Sequence, residues 1–304
     1  MRRPTMRHPL ALALGGGGAR GALQAGALRA LLEANIQPDI LVGTSVGAVN
    51  ATHLALYGFT EASLDLLQRA WHDAATADLL PSNYLWLTVR ALFNRFGHQS
   101  YQRIYDFFVA HGVSPDLHFG DIEGVRLILV ATDLNAGSVV LYGTDPHQLV
   151  LEGLLASTAL PPWVRPLERN GRFLMDGGVV SNLPIGPALS QGAREIVALN
   201  LSDPRDVPED AHGVGPLLSK LMNTIACRQT ELEMALAQTH RVPVHHIHLL
   251  GPAPVPTWDF RHTDTLMRKG YHTCRRYLAT LQTNHPPFWR RWLAWWFMRR
   301  GSRG

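Results

Sequence analysis

Cysteine is nearly absent: Cys227 and Cys274 are the two among 304 residues. A disulfide framework therefore does not hold this fold together, and a reducing compartment suits it. Long hydrophobic runs are missing too, because Gly, Arg or His interrupts each apolar stretch before it reaches the roughly 18 to 20 residues that cross a bilayer. Charge is sparse, at 17% of residues, and its imbalance is confined to the ends. Arg2, Arg3 and Arg7 stand at the start and Arg290, Arg291, Arg299, Arg300 and Arg303 at the finish, with no acid in either stretch. The body between them carries 20 basic against 24 acidic residues, so the formal charge of +4 does not describe a nucleic-acid-binding surface. What is abundant is apolar material, at 46%, which supports a sizeable core and excludes disorder as the main state.

No internal repeat or linker divides the chain. The expected organisation is a basic segment over residues 1–9, one α/β domain over 10–284 whose motifs fall in about 10–200, and an appended tail over 285–304. The opening, MRRPTMRHPLALAL, has the basic start of a secretory signal. Its apolar stretch, Leu10 to Leu14, is too short and runs into glycines and Arg20, so the segment reads as a buried strand and the protein as cytoplasmic.

From residue 10 to about 60 the pattern runs strand, glycine loop, helix, strand, helix, which is the mark of a parallel sheet with crossover helices. Residues 61–111 read as helical and rich in aromatics: Tyr84, Trp86, Phe93, Phe96, Tyr101, Tyr105, Phe107 and Phe108. These suit either the core or the wall of an apolar pocket. A hairpin is expected over Val125–Thr132 and Ser138–Tyr142 around the turn Asn135-Ala136-Gly137. A short helix follows over His147–Ala156, then a strand over Glu195–Leu201, a helix over Pro216–Gln238, a strand over His245–Leu250 and a last helix over Asp259–Gln282.

Three motifs carry chemistry. Gly15-Gly16-Gly17-Gly18-Ala19-Arg20-Gly21 joins a strand to a helix, where glycines let backbone amides approach a negative charge. A dinucleotide site would also need an acid closing the second strand, but Asp39 stands at that strand's start. Gly43-Thr44-Ser45-Val46-Gly47 is a G-x-S-x-G at a strand-to-helix turn, the geometry that exposes a serine hydroxyl; a serine there is also an ordinary helix N-cap. Two adjacent loops at one sheet edge would let one supply a nucleophile and the other the donors for an oxyanion. His240, His245, His246 and His248 offer themselves as a base for Ser45, yet His245 to His248 reads as strand alternation with surface or core roles. Met175-Asp176-Gly177-Gly178-Val179 is on its own an Asx-turn.

Taken together, these motifs resemble the patatin-like phospholipase family of serine lipid acyl hydrolases. The matching residues are Gly16 to Gly21, Gly43 to Gly47 with Ala48-Val49-Asn50-Ala51, and Asp176-Gly177-Gly178. Ala131-Thr132-Asp133-Leu134, Ala156-Ser157 with the prolines beyond it, and Asn182-Leu183-Pro184 add support. The resemblance covers about residues 10–200. It implies a three-layer α/β fold, a mainly parallel sheet with helices on both faces. It further implies a Ser-Asp dyad without histidine, with Ser45 as nucleophile and Asp176 as proton acceptor. The amides of Gly16, Gly17, Gly18 and Ala19 would form the oxyanion hole, and neither metal nor cofactor is expected. An aspartate near its ordinary pKa is a weak base at neutral pH, so the dyad demands a water-poor pocket. Arg20 reads as pinning the loop through backbone carbonyls, with phosphate binding as the other reading.

The implied substrate is a phospholipid, lysophospholipid or other fatty-acyl ester. The rival readings are a dinucleotide-binding oxidoreductase and a non-catalytic lipid-binding protein. In the tail, Trp289, Trp292, Trp295 and Trp296 oppose Arg290 and Arg291 on a helical wheel. That pattern suits either the headgroup level of an anionic membrane or docking onto the body or a second subunit.

Overall fold

The computed structural model describes residues 6–77, 98–161, 164–205 and 214–284. Tyr84, Trp86, Phe93, Phe96 and the whole tail, with its tryptophans and arginines, lie outside the described residues. In chain order the elements begin with β1 (Leu10–Leu14), α1 (Gly21–Glu33), β2 (Ile40–Thr44), α2 (Val46–Tyr57), α3 (Glu61–Thr76) and α4 (His98–Ala110). Next come β3 (Arg126–Asp133), β4 (Ser138–Tyr142), α5 (Val150–Ser157), β5 (Leu167–Arg169) and β6 (Arg172–Asp176). The chain continues through α6 (Ile185–Ser190), β7 (Glu195–Asn200), α7 (Val214–Thr239), β8 (Val244–His248) and α8 (Thr263–Asn284).

One sheet runs in the order β5-β6-β3-β2-β1-β7-β8, with β4 on the free edge of β3. Strands β3, β2, β1, β7 and β8 are parallel, while β4 and β6 run against β3. Helices cover both faces. Leu10, Leu12 and Leu14 of β1 pack into the larger core beside α1, α2, α3 and α8, whereas Ala11 and Ala13 face the smaller core under α6 and α7. This explains why β1 is a continuous apolar run: both faces are buried, and only side-chain size alternates. Burying each of those leucines contributes about 1.5 to 3 kcal/mol. Both cysteines are free thiols, and burial pushes that of Cys274 up to about 12.

Two expected helix starts move by more than two residues. The helix expected from His147 starts at Val150, because the side-chain carbonyl of Gln148 accepts from the Gly143 amide (2.7 Å) and holds a turn there. The helix expected from Asp259 starts at Thr263, since Asp259 first caps a short 3₁₀ turn by accepting from the Arg261 amide (3.1 Å).

The register of β3 places the site. Its free edge pairs with β4 through Leu129 to Asp133, so β2 and β6 must share the opposite edge. Strand β2 ends with Thr44 against Val130, and the next residue on that edge, Ala131, pairs with Asp176. The antiparallel strand thus takes over where the parallel one stops, bringing Asp176 beside Ser45 across 131 residues of chain.

Candidate active site

Ser45 sits between β2 and α2 with φ 54° and ψ −126°, a conformation that costs a non-glycine residue on the order of 1 to 3 kcal/mol. Neighbouring groups hold it there. Its amide donates to Ser157 Oγ (3.0 Å), and that hydroxyl donates in turn to the Val130 carbonyl (2.7 Å). The Thr44 hydroxyl donates to Ser181 O (2.8 Å). The turn also needs Gly47, where a Cβ would lie 2.1 Å from Leu14 O. The Ser45 side chain makes no capping hydrogen bond to α2, so the N-cap reading does not apply. Instead the hydroxyl shares a pocket with Asp176, and its polarity favours the ionised carboxylate there.

Asp176 is 3% exposed. Its Oδ1 accepts from the Gly178 amide (2.8 Å), the expected Asx-turn, while the carboxylate also meets Ser45. Burial raises its pKa from 3.8 to about 6, against the opposing pull of the Ser45 hydroxyl and the Gly178 amide. Its backbone is anchored as well, with its carbonyl accepting from the Thr132 hydroxyl (2.8 Å) and its amide donating to Ala159 O (3.0 Å). The 176–186 segment is clamped from α7. Gln229 Oε1 accepts from the Asn182 amide (3.1 Å), and the half-buried carboxylate of Glu233 accepts from the amides of Ile185 (2.6 Å) and Gly186 (3.0 Å).

The glycine loop lies beside Ser45, and its amides are not equivalent. Gly16 N donates to Asn182 O (3.0 Å), and Ala19 N donates to Thr257 O (2.7 Å). The amides of Gly17 and Gly18 have no acceptor among the described residues. Gly18 has φ +55°, and a Cβ there would fall 2.2 Å from Thr257 O, so no side chain fits. Arg20 is buried, and its Nε reaches back to Gly17 O at 3.4 Å, the loop-pinning contact.

Ser45, Asp176 and the loop form the floor of a pocket of ≈ 230 Å³. Leu67, Trp71 and Ala74 of α3 and Ile104, Phe107 and Phe108 of α4 make its apolar wall, so part of the aromatic stretch lines a pocket. Met222, Asn223 and Ala226 of α7, with Thr257, Trp258 and Phe260, complete it. These last residues carry no motif, and nothing in the local sequence marks them. Ser157 was visible only as part of a supporting match; its grip on the elbow is a tertiary fact.

Other candidates lie elsewhere. No histidine lines the pocket among the described residues; His245 pairs with Glu195 (2.6 Å) at the start of β7, and His246 meets Asn200 (3.1 Å). Asp39 sits at the amino end of β2, accepting from Leu10 N and His8 Nδ1 (both 2.5 Å). That is the sheet edge remote from the glycine loop, and the dinucleotide reading finds no support. Among the described residues, no group of three or more His, Cys, Asp or Glu side chains is placed to hold a metal ion.

The family model described as patatin-like phospholipase matches residues 12–189, more than half of the chain. Patatin-like phospholipase domain-containing protein 7 of Mus musculus is 31% identical over 241 residues, covering 76% of this chain and 17% of that protein. Patatin-like phospholipase domain-containing protein 6 of Homo sapiens is 31% identical over 209 residues, 68% of this chain and 14% of the other. Lysophospholipase NTE1 of Mycosarcoma maydis is 25% identical over 211 residues, 67% of this chain and 10% of its own length. The chain therefore spans less than a fifth of these relatives. Carrying the glycine loop, the serine elbow and the Asp-Gly-Gly turn within the matched stretch, the chain belongs to the patatin-like phospholipase family.

Proposed function

We propose that this protein is a serine lipid acyl hydrolase that cleaves a fatty-acyl ester of a phospholipid or lysophospholipid through a Ser45–Asp176 dyad. The observation that carries this reading is Ser45, in a strained backbone turn, sharing the floor of an apolar pocket with a buried carboxylate whose pKa burial raises to about 6. A base of that pKa is ionised at neutral pH yet accepts a proton more readily than an ordinary aspartate.

Asp176 takes the hydroxyl proton as Ser45 Oγ bonds to the ester carbonyl carbon. The oxyanion accepts from the amides of Gly17 and Gly18, the loop donors that have no acceptor among the described residues. The C–O bond to the alcohol then breaks, and Asp176 returns its proton to the leaving oxygen. Water, deprotonated by Asp176, then attacks the acyl carbon; the C–O bond to Ser45 breaks, Asp176 returns the proton to Ser45 Oγ, and the fatty acid leaves.

Labelling by a fluorophosphonate and hydrolysis of a short-chain ester test the reading. Wild type is expected to do both, and Ser45→Ala neither. Hydrolysis retained at full rate by Ser45→Ala would overturn it.

A further inference from the structure

A chain of buried amides lies behind the glycine loop. Gln24 and Asn50 are fully buried, and Trp71 nearly so. The Trp71 indole N–H donates to Asn50 Oδ1 (3.1 Å), and Asn50 Nδ2 donates to Gln24 Oε1 (2.9 Å) and to the Gly21 carbonyl (3.2 Å). Gln24 Nε2 completes the chain by donating to the carbonyls of Gly15 (2.9 Å) and Leu199 (3.2 Å). An indole N–H only donates and a backbone carbonyl only accepts, so the two ends dictate one orientation for both amides.

The chain begins in the pocket wall and ends on the Gly15 carbonyl, where the loop starts, and on the Leu199 carbonyl of β7, which also accepts from the Gly15 amide (3.1 Å). The Gly15 carbonyl shares a peptide plane with the Gly16 amide, which donates to Asn182 O (3.0 Å). Gripped from both sides, that plane aims the next amide, Gly17. Asn50 lies on α2, the helix that Ser45 precedes, so one side chain ties the loop to the element presenting the serine.

We infer that Gln24, Asn50 and Trp71 are positioning residues: their relay of hydrogen bonds holds the Gly17 and Gly18 amides in register with the Ser45 oxygen. The inference rests on the Ser45–Asp176 reading. Its action belongs in kcat, because donors aimed at the developing oxyanion matter more in the transition state than in the bound ester.

The test uses Gln24→Met, which keeps side-chain length but removes the amide, and Trp71→Phe, which keeps an aromatic wall but removes the N–H. Turnover of a soluble short-chain ester is expressed per site titrated by fluorophosphonate, so loss of folded protein does not count as loss of rate. Each variant is expected to lose at least about tenfold in kcat, below the 10²- to 10³-fold effect of deleting an oxyanion donor outright. KM should stay within about threefold, and the acid limb of the pH profile near pH 6 should not move, because Asp176 is untouched. The double variant should lose no more than the worse single one, as members of one unit do. Losses that multiply would mean independent packing defects and overturn the relay. Should Gln24→Met fail to fold, Trp71→Phe decides alone. With Ser45→Ala inactive, relay variants that keep kcat within twofold of wild type overturn this inference only; an active Ser45→Ala overturns the dyad beneath it.

Discussion

Asp176→Asn should stabilise the protein while abolishing its activity, and the stabilisation should depend on pH. In the folded chain Asp176 keeps its proton up to about pH 6; once unfolded, it keeps it only to about 3.8. Between those values the folded state binds more protons, so this group makes stability fall as pH rises through the window. Above it the full cost of the buried charge is present, about 3 kcal/mol at about 1.4 kcal/mol per pH unit. Asparagine carries no charge and avoids that cost. Its Oδ1 can still accept from the Gly178 amide, and its Nδ2 can donate to Ser45 Oγ, so the turn survives. Urea unfolding followed by tryptophan fluorescence at several pH values compares the two proteins, and the other titrating groups cancel in the difference. The variant's advantage is expected to widen by about 2 kcal/mol between pH 4 and pH 8. A gap that stays constant or narrows would refute the argument that burial dominates at Asp176. Retained ester hydrolysis would refute its role as the base.

Two further outcomes follow from the same geometry and one from the sequence of the tail. In wild type, kcat/KM on a soluble ester should rise about tenfold per pH unit up to about pH 6 and then level, because attack needs an ionised Asp176; a rate that is flat between pH 4.5 and 7 contradicts this. Ser157→Ala removes the hydroxyl that bridges Ser45 N and Val130 O, and should cost about 1 to 3 kcal/mol by urea unfolding while lowering kcat more than it raises KM. Wild-type kcat in a folded Ser157→Ala would show that the elbow holds itself. Deletion of residues 286–304 should weaken binding to anionic vesicles, each arginine contributing about 1 kcal/mol near such a surface, and leave soluble-ester turnover intact. Equal vesicle binding by both forms would assign the tail to docking instead.

The apolar run Leu10–Leu14, the glycines after it and the G-x-S-x-G at 43–47 are local signals, and they were legible because strand burial, close backbone approach and a tight elbow each restrict residue type over a few positions. That is why the α/β class, the parallel β1–β2 unit and the location of the serine were readable from order alone. Asp176 is ambiguous by itself, since an Asp-Gly-Gly turn serves structure equally well; only its company with the other motifs points to the second role proposed for it. Three things had to come from the tertiary structure. The shared edge of β3 joins Thr44 and Asp176 through register, which depends on pairings far apart in sequence. The raised pKa of Asp176 comes from the packing of many elements that exclude water from one carboxylate. The division of the loop amides into committed and uncommitted donors is set by Asn182 and Thr257, residues distant in the chain that only folding brings to the loop. Residue types and short spacings thus decided which chemistry the chain can carry, while the long-range pairings decided which atoms meet to carry it out.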